Sequence, residues 1–195
     1  MMEETTQRSA AESPSRWGGW LRDLLETILL ALLIYLGINA LTGRYQVLQV
    51  SMEPTLHEGQ YLIVSRTSYW LDEPERGDIV VFRPPHAQPD EIPLIKRVIG
   101  LPGDHIEARD GRIWVNELVL NEPYTTGPVS YPGVWELNED EYFVLGDNRN
   151  NSSDSHSWGP ISRENLIGKA VFRYWPLNKF GPFPQPSFAT SEVNP

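Results

Sequence analysis

The stretch Ile106-Glu107-Ala108-Arg109-Asp110-Gly111-Arg112-Ile113-Trp114-Val115 holds two runs of strand-forming residues separated by a single Asp-Gly pair. Both turn residues tolerate positive φ, so the segment predicts a β-hairpin with Asp110-Gly111 at its tip. Runs of the same kind flank it. Tyr61-Leu62-Ile63-Val64, Ile79-Val80-Val81-Phe82, Ile95 to Ile99 and Tyr142-Phe143-Val144-Leu145 are short, rich in β-branched and aromatic side chains, and bounded by Gly, Pro, Asn or Asp. Pro-rich residues 84–93 and Gly-bounded residues 127–133 predict long loops. No internal repeat is present. Beyond Leu41 the chain is therefore expected to be mainly β.

The segment before Leu41 has a different character. Residues 24–41 are dominated by Leu, Ile and Ala. As a helix they rise about 27 Å, enough to cross a hydrocarbon core of roughly 30 Å. Trp17, Trp20, Tyr35 and Tyr45 supply interfacial aromatics near the two ends. A cleaved secretory signal fits poorly, because acidic as well as basic residues precede the apolar block and no clean small-x-small site follows it. A core helix would need a helical partner, which the rest of the chain does not offer. Residues 17–44 are expected to be a single membrane anchor. Arg8, Arg16 and Arg22 precede it and Arg44 alone closely follows, which orients the N-terminus toward the cytoplasm and residues 45–195 outside. Residues 1–16 are polar without apolar periodicity and are expected to form a disordered cytoplasmic tail. The Pro-rich residues 176–195 are expected to be a C-terminal tail, leaving 45–175 as the folded domain.

Composition removes several function classes. The formal charge is −10 and no basic cluster exists, which argues against nucleic acid as a partner. Acidity also disfavours adhesion to anionic headgroups, so attachment to a lipid bilayer must come from apolar insertion. With no cysteine there is no disulfide, thiolate nucleophile or Cys-ligated zinc. The four histidines (His57, His86, His105, His156) show no metal-ligand spacing, and no metal or cofactor is implied.

Three segments can carry chemistry. Ser51, in Val50-Ser51-Met52-Glu53-Pro54-Thr55-Leu56, is a hydroxyl on a backbone stiffened by Pro54. A serine needs a nearby base to become a nucleophile, and alone this segment reads as a turn leading to the Tyr61 strand. Lys96 lies inside the apolar run Leu94-Ile95-Lys96-Arg97-Val98-Ile99. Strict alternation places it on one face with Leu94 and Val98, and Arg97 on the other with Ile95 and Ile99. A lysine in apolar surroundings loses charge readily and can act as a base; the competing reading is an edge-strand lysine that reaches water. The third segment, residues 146–155 (Gly-Asp-Asn-Arg-Asn-Asn-Ser-Ser-Asp-Ser), is too rich in Asn, Asp and Ser for regular structure and predicts an ordered, hydroxyl-rich loop.

Together these segments resemble the type I (leader) signal peptidases. Ser51-Met52-Glu53-Pro54-Thr55-Leu56 is similar to their nucleophile box, and Arg76-Gly77-Asp78-Ile79-Val80-Val81-Phe82 to a strand box. Residues 96–104 match the general-base box, and residues 146–155 with Trp158-Gly159 the last box, all in family order. The resemblance implies a β-rich catalytic core with a smaller inserted β subdomain at about 104–142. It implies a membrane-bound serine endopeptidase that removes signal peptides from exported preproteins after an Ala-x-Ala pattern. By the same resemblance Ser51 is the nucleophile, Lys96 the general base and Ser152 the hydroxyl that positions the lysine. Asp154 braces the site, Asp147 pairs with Arg97, and Met52 lines the substrate pocket. The Ser51 backbone N–H is an oxyanion donor; Gln49 stands where the family usually carries a second, hydroxyl donor. His156 stands where an Arg is usual. Asp154 and His156 also permit a Ser51–His156–Asp154 triad. Two other functions stay open: an inactive membrane-anchored module that binds signal peptides, and a self-cleaving Ser–Lys regulator. The latter calls for a DNA-binding domain and an Ala-Gly site, in place of which the chain has an apolar helix and no Ala-Gly.

Overall fold

The structure, a computed structural model, describes residues 16–88, 90–183, 186 and 188. The N-terminal tail expected at 1–16 lies outside the described residues except for its last position.

Helix α1 runs Arg16–Leu41, so it begins before the apolar block. Ahead of the apolar run, Arg22 Nε donates to Glu26 Oε1 one turn on, at 2.7 Å, and Thr27 Oγ1 donates to the carbonyl of Asp23. Within it Gly19–Leu41 is long and apolar enough to cross a membrane.

Residues 41–195 form a separate unit. In chain order its elements are β1 Thr42–Gln46, β2 Tyr61–Ser65, α2 Ser68–Leu71, β3 Ile79–Phe82, β4 Leu94–Gly100, β5 His105–Arg109 and β6 Arg112–Val115. There follow β7 Leu118–Val119, β8 Gly133–Glu136, β9 Glu141–Leu145, α3 Ser155–Trp158, β10 Ile161–Ser162, β11 Leu166–Trp175 and β12 Gly181–Pro182. The larger sheet has the order β1-β2-β11-β3-β4-β9-β10, with β12 against β11; the smaller is β7-β6-β5-β8. Every pairing is antiparallel. The hairpin forms as its sequence predicts: Ala108 faces Ile113, and Asp110 and Gly111 turn the chain with φ of 52° and 74°.

Whereas β2 buries one face only, through Leu62 and Val64, β3, β9 and most of β4 are buried on both. In β3, Ile79 and Val81 enter one core cluster with Val47, Met52, Leu62 and Val64, while Val80 and Phe82 enter a second with Val98, Tyr142 and Val144. A third cluster joins the two sheets through Ile99, Phe143 and Leu145 of the larger and Ile106, Ala108 and Ile113 of the smaller. Two-sided burial is why these strands read as continuous hydrophobic runs rather than alternating ones.

Two departures from the sequence expectations stand out. The ten-residue β11 lies at the centre of the sheet although no strand is predicted there; Gly168, Lys169 and Arg173 interrupt its pattern, and its pairings carry register shifts. Residues 176–183 are not a free tail. Gly181 and Pro182 pair with Arg173 and Phe172, Phe180 stacks edge-on against Phe172, and Phe183 is buried in the first core cluster. The apolar aromatics, silent in a reading weighted by proline, bring this stretch onto the sheet.

Candidate active site

β4 supplies two consecutive buried cations. Its register against β3 sets Lys96 opposite Val80 and Arg97 opposite Ile79, on opposite faces as alternation requires. A single 3-10 turn, Val50–Met52, carries Ser51 to the first of these faces. There Lys96 Nζ donates to Ser51 Oγ at 2.8 Å and to its neighbour's carbonyl, Ile95 O, at 3.2 Å. Lys96 is 1% exposed and Ser51 6%. Burial pulls the ammonium pKa down to about 8, against the opposing pull of the Asp154 and Asp147 carboxylates. The chemical consequence is an amine that can be neutral near physiological pH, in hydrogen-bond contact with a hydroxyl.

The loop after β9 closes around this pair. Asn148 donates its backbone N–H to the Ser51 carbonyl at 3.0 Å and its side-chain amide to the Val50 carbonyl. Gly146 donates to Asp154 Oδ2 at 2.8 Å. A Cβ on Gly146 would lie 2.4 Å from the Ser51 carbonyl and 2.3 Å from Ser152 Oγ, so only glycine fits at this approach. Arg149, buried, donates to the Gly146 carbonyl and pairs through both terminal nitrogens with Glu122.

On the other face of β4, Arg97 makes a two-pronged ion pair with Asp147 at 2.9 and 2.7 Å. It also donates to the Gly77 carbonyl at 2.9 Å, and its guanidinium lies 4.1 Å from the centre of the Tyr124 ring.

The structure thus brings Ser51 to Lys96, and Arg97 to Asp147. Ser152 sits beside Gly146, but its buried Oγ makes no hydrogen bond, so the contact to Lys96 expected from the resemblance is not made. Asp154, fully buried, holds the Gly146 N–H with one oxygen and both the backbone N–H and the Nδ1 of His156 with the other. The other ring nitrogen of His156 meets Ser157 Oγ at 3.0 Å, and its ring stacks on Tyr131 at 4.0 Å. With both nitrogens so placed, His156 is not the base beside Ser51. Gln49 is exposed, with no capping bond to the turn it precedes. Met52 is buried and belongs to the core.

A groove of about 410 Å³ runs past Ser51, with residues 46–49, Ser51 and Met52 on one wall and residues 90–95 on the other. β4 pairs with β9 only from Arg97 onward, so among the described residues its start at Leu94 and Ile95 keeps one backbone edge without a strand partner. Sequence reasoning placed Asn148 in the loop but gave it no role of its own, and it missed Tyr124, Tyr131 and Glu122 as parts of this neighbourhood. Nothing local in the chain marks these three, because each acts through a fold contact with a distant segment.

The family described as signal peptidase, peptidase S26, matches residues 20–175. The chain belongs to that family. This signal peptidase is 41% identical to "Probable signal peptidase I-2" of Synechocystis sp., over 93% of this chain and 84% of that protein. It is 40% identical to "Signal peptidase I" of Leptolyngbya laminosa, over 95% of each. A crystal structure of a signal peptidase I from Enterococcus faecalis is 29% identical, with a TM-score of 0.45 over 51% of this chain and 98% of that one.

Proposed function

We propose that this signal peptidase removes signal peptides from exported preproteins with Ser51 as nucleophile and Lys96 as general base. The observation that carries the assignment is the 2.8 Å contact between Ser51 Oγ and an almost fully buried lysine whose pKa is lowered to about 8. Neutral Lys96 accepts the Ser51 proton as Oγ attacks the scissile carbonyl. The Ser51 backbone N–H and the side-chain amide of Gln49 hold the developing oxyanion. The resulting ammonium protonates the leaving amine, and the neutral amine then activates the water that hydrolyses the acyl-enzyme. Once charged, Lys96 needs acceptors, and the buried, unpaired Ser152 hydroxyl is assigned the task of receiving one of its hydrogens. Asp154 braces the loop through Gly146, and the Arg97–Asp147 pair fixes its start.

The groove accepts an extended peptide against the open edge of β4, and buried Met52 on its wall limits the side chains admitted to small ones, as in Ala-x-Ala. α1 serves as a single anchor in the lipid bilayer, with the N-terminus cytoplasmic and the peptidase domain outside. That domain extends past residue 175 to include Phe183, with the insertion at about 104–142 built on the smaller sheet.

Cleavage of a model preprotein by the detergent-solubilised full chain tests this. Cleavage after Ala-x-Ala by the wild type, lost in both Ser51→Ala and Lys96→Met, is expected. Activity surviving in Lys96→Met would assign the base elsewhere, and a folded wild type that binds the preprotein without cutting it would make the chain a signal-peptide-binding module. Protease protection in sealed vesicles reads the orientation.

A further inference from the structure

The mechanism leaves unused a contact made by the C-terminal stretch. Five positions beyond Phe183, the ring of Phe188 lies edge-on to Tyr124, with centroids 6.3 Å apart and planes at 80°. It also lies over Gly77: a Cβ there would come within 2.5 Å of the Phe188 ring and 3.0 Å of Pro186. Gly77 has φ of 96°, so the position demands glycine twice, for the backbone and for the ring above it. Phe188 further borders a cavity of about 140 Å³ together with Val115 and Val119 of the smaller sheet and Leu120 just after it.

Both groups that Phe188 covers also contact Arg97, beside Asp147 and Thr55. Gly77 offers its carbonyl to the guanidinium, and Tyr124 offers its ring face. Arg97 holds Asp147, and the next residue, Asn148, donates to the Ser51 carbonyl. One run of contacts therefore links an aromatic residue near the chain's end to the turn bearing Ser51. A buried charge pair is firm only while water stays out and its partners stay fixed, because the attraction weakens as the local dielectric rises.

We propose that Phe188 is a positioning residue of the peptidase. Its ring seals the Arg97–Asp147 pair by covering Gly77 and Tyr124, and so holds the loop that fixes Ser51. This rests on the assignment of Ser51 and Lys96 to the chemistry.

The test is preprotein cleavage by the full-length solubilised protein carrying Phe188→Ala, Phe188→Leu or Phe188→Tyr. Positioning predicts a fall in kcat of about tenfold for the alanine variant, with KM within about twofold, since the groove is untouched. Phe188→Leu keeps bulk and fold while removing the ring edge, and should lose about threefold; Phe188→Tyr keeps the ring and should restore wild-type kcat. A lower Tm with unchanged kcat in Phe188→Ala, or wild-type kcat in Phe188→Leu, overturns the proposal. Ser51→Ala, run in parallel, keeps the two ideas apart. Cleavage that survives there removes the Ser51 assignment, whereas undiminished cleavage in Phe188→Ala beside an inactive Ser51→Ala removes only the positioning role of Phe188.

Discussion

Lys96 and Arg97 are neighbours on one strand, 1% and 2% exposed, and they meet burial in opposite ways. Around Arg97 every partner favours the charge: the Asp147 carboxylate, the Gly77 carbonyl and the face of Tyr124. Lys96, among the described residues, touches no carboxylate, only a hydroxyl and one carbonyl, and the charges of Asp147 and Asp154 reach it from a distance. A guanidinium keeps its proton throughout the working range of proteins, whereas a buried ammonium gives it up. Alternation along β4 thus separates a cation that holds a loop from one that can exchange a proton, and the two cannot trade places.

Lys96→Arg attacks that contrast most directly. It keeps the charge and removes the base, so kcat/KM for preprotein cleavage is expected to fall by at least ~10³-fold at every pH from 6 to 10. Activity that returns at high pH would place the base elsewhere. Asp147→Asn attacks the other side by leaving Arg97 charged, buried and without its carboxylate. Chemical denaturation should show a loss of about 3–5 kcal/mol, because an unpartnered buried charge bears its full desolvation cost. Replacing both partners, Arg97→Met with Asp147→Leu, should recover most of that loss; if it does not, the pair's fit matters more than its charge.

Lys96→Met should do the reverse for stability. The unfolded lysine has a pKa near its ordinary 10.5, and the folded one about 8. Below pH 8 both states are protonated and the folded state carries the whole penalty, about 3 kcal/mol; above 10.5 neither is charged and the penalty vanishes. Between these values the unfolded state binds more protons, so wild-type stability gains from this group as pH rises. At pH 7 the inactive Lys96→Met is expected to be more stable than wild type by up to about 3 kcal/mol, with the advantage gone at pH 10.5. Equal stability at both pH values would mean that Lys96 is not buried as a charge.

Which parts of this arrangement were legible in the sequence follows from the range of the forces involved. Ser51, Lys96 and the 146–155 loop were candidates because each has a local signature, a proline-stiffened turn, an alternating strand, a run of Asn, Asp and Ser, while their roles came from the resemblance to signal peptidases. The Asp110-Gly111 hairpin was legible for the same reason. β11 was not, since its strand character comes from neighbours on both sides while its own residues break the pattern at Gly168, Lys169 and Arg173. Nor was the docking of Phe183, whose burial needs β2 and β11 already in place. The contribution of Tyr124 is likewise invisible locally; it reaches Arg97 only because the chain between β7 and β8 passes over that side of β4.

The smallest effect tests the distance at which carboxylates act on Lys96. Asp154 opposes the fall of its pKa by charge alone, as does Asp147. Asp154→Asn removes that charge but keeps an oxygen to receive the Gly146 N–H and a polar group beside His156, which is held between Asp154, Ser157 and Tyr131. Without the negative charge the ammonium is less favoured, so the lysine pKa drops further below its wild-type value of about 8. A base works only when neutral, and activity is lost as pH falls through its pKa. The acid limb of kcat/KM should therefore move to lower pH in Asp154→Asn, with the high-pH plateau lowered only as far as the loop has loosened. A limb that moves up instead would mean that the loop has opened and Lys96 has regained water, making Asp154 a structural brace before it is a source of charge.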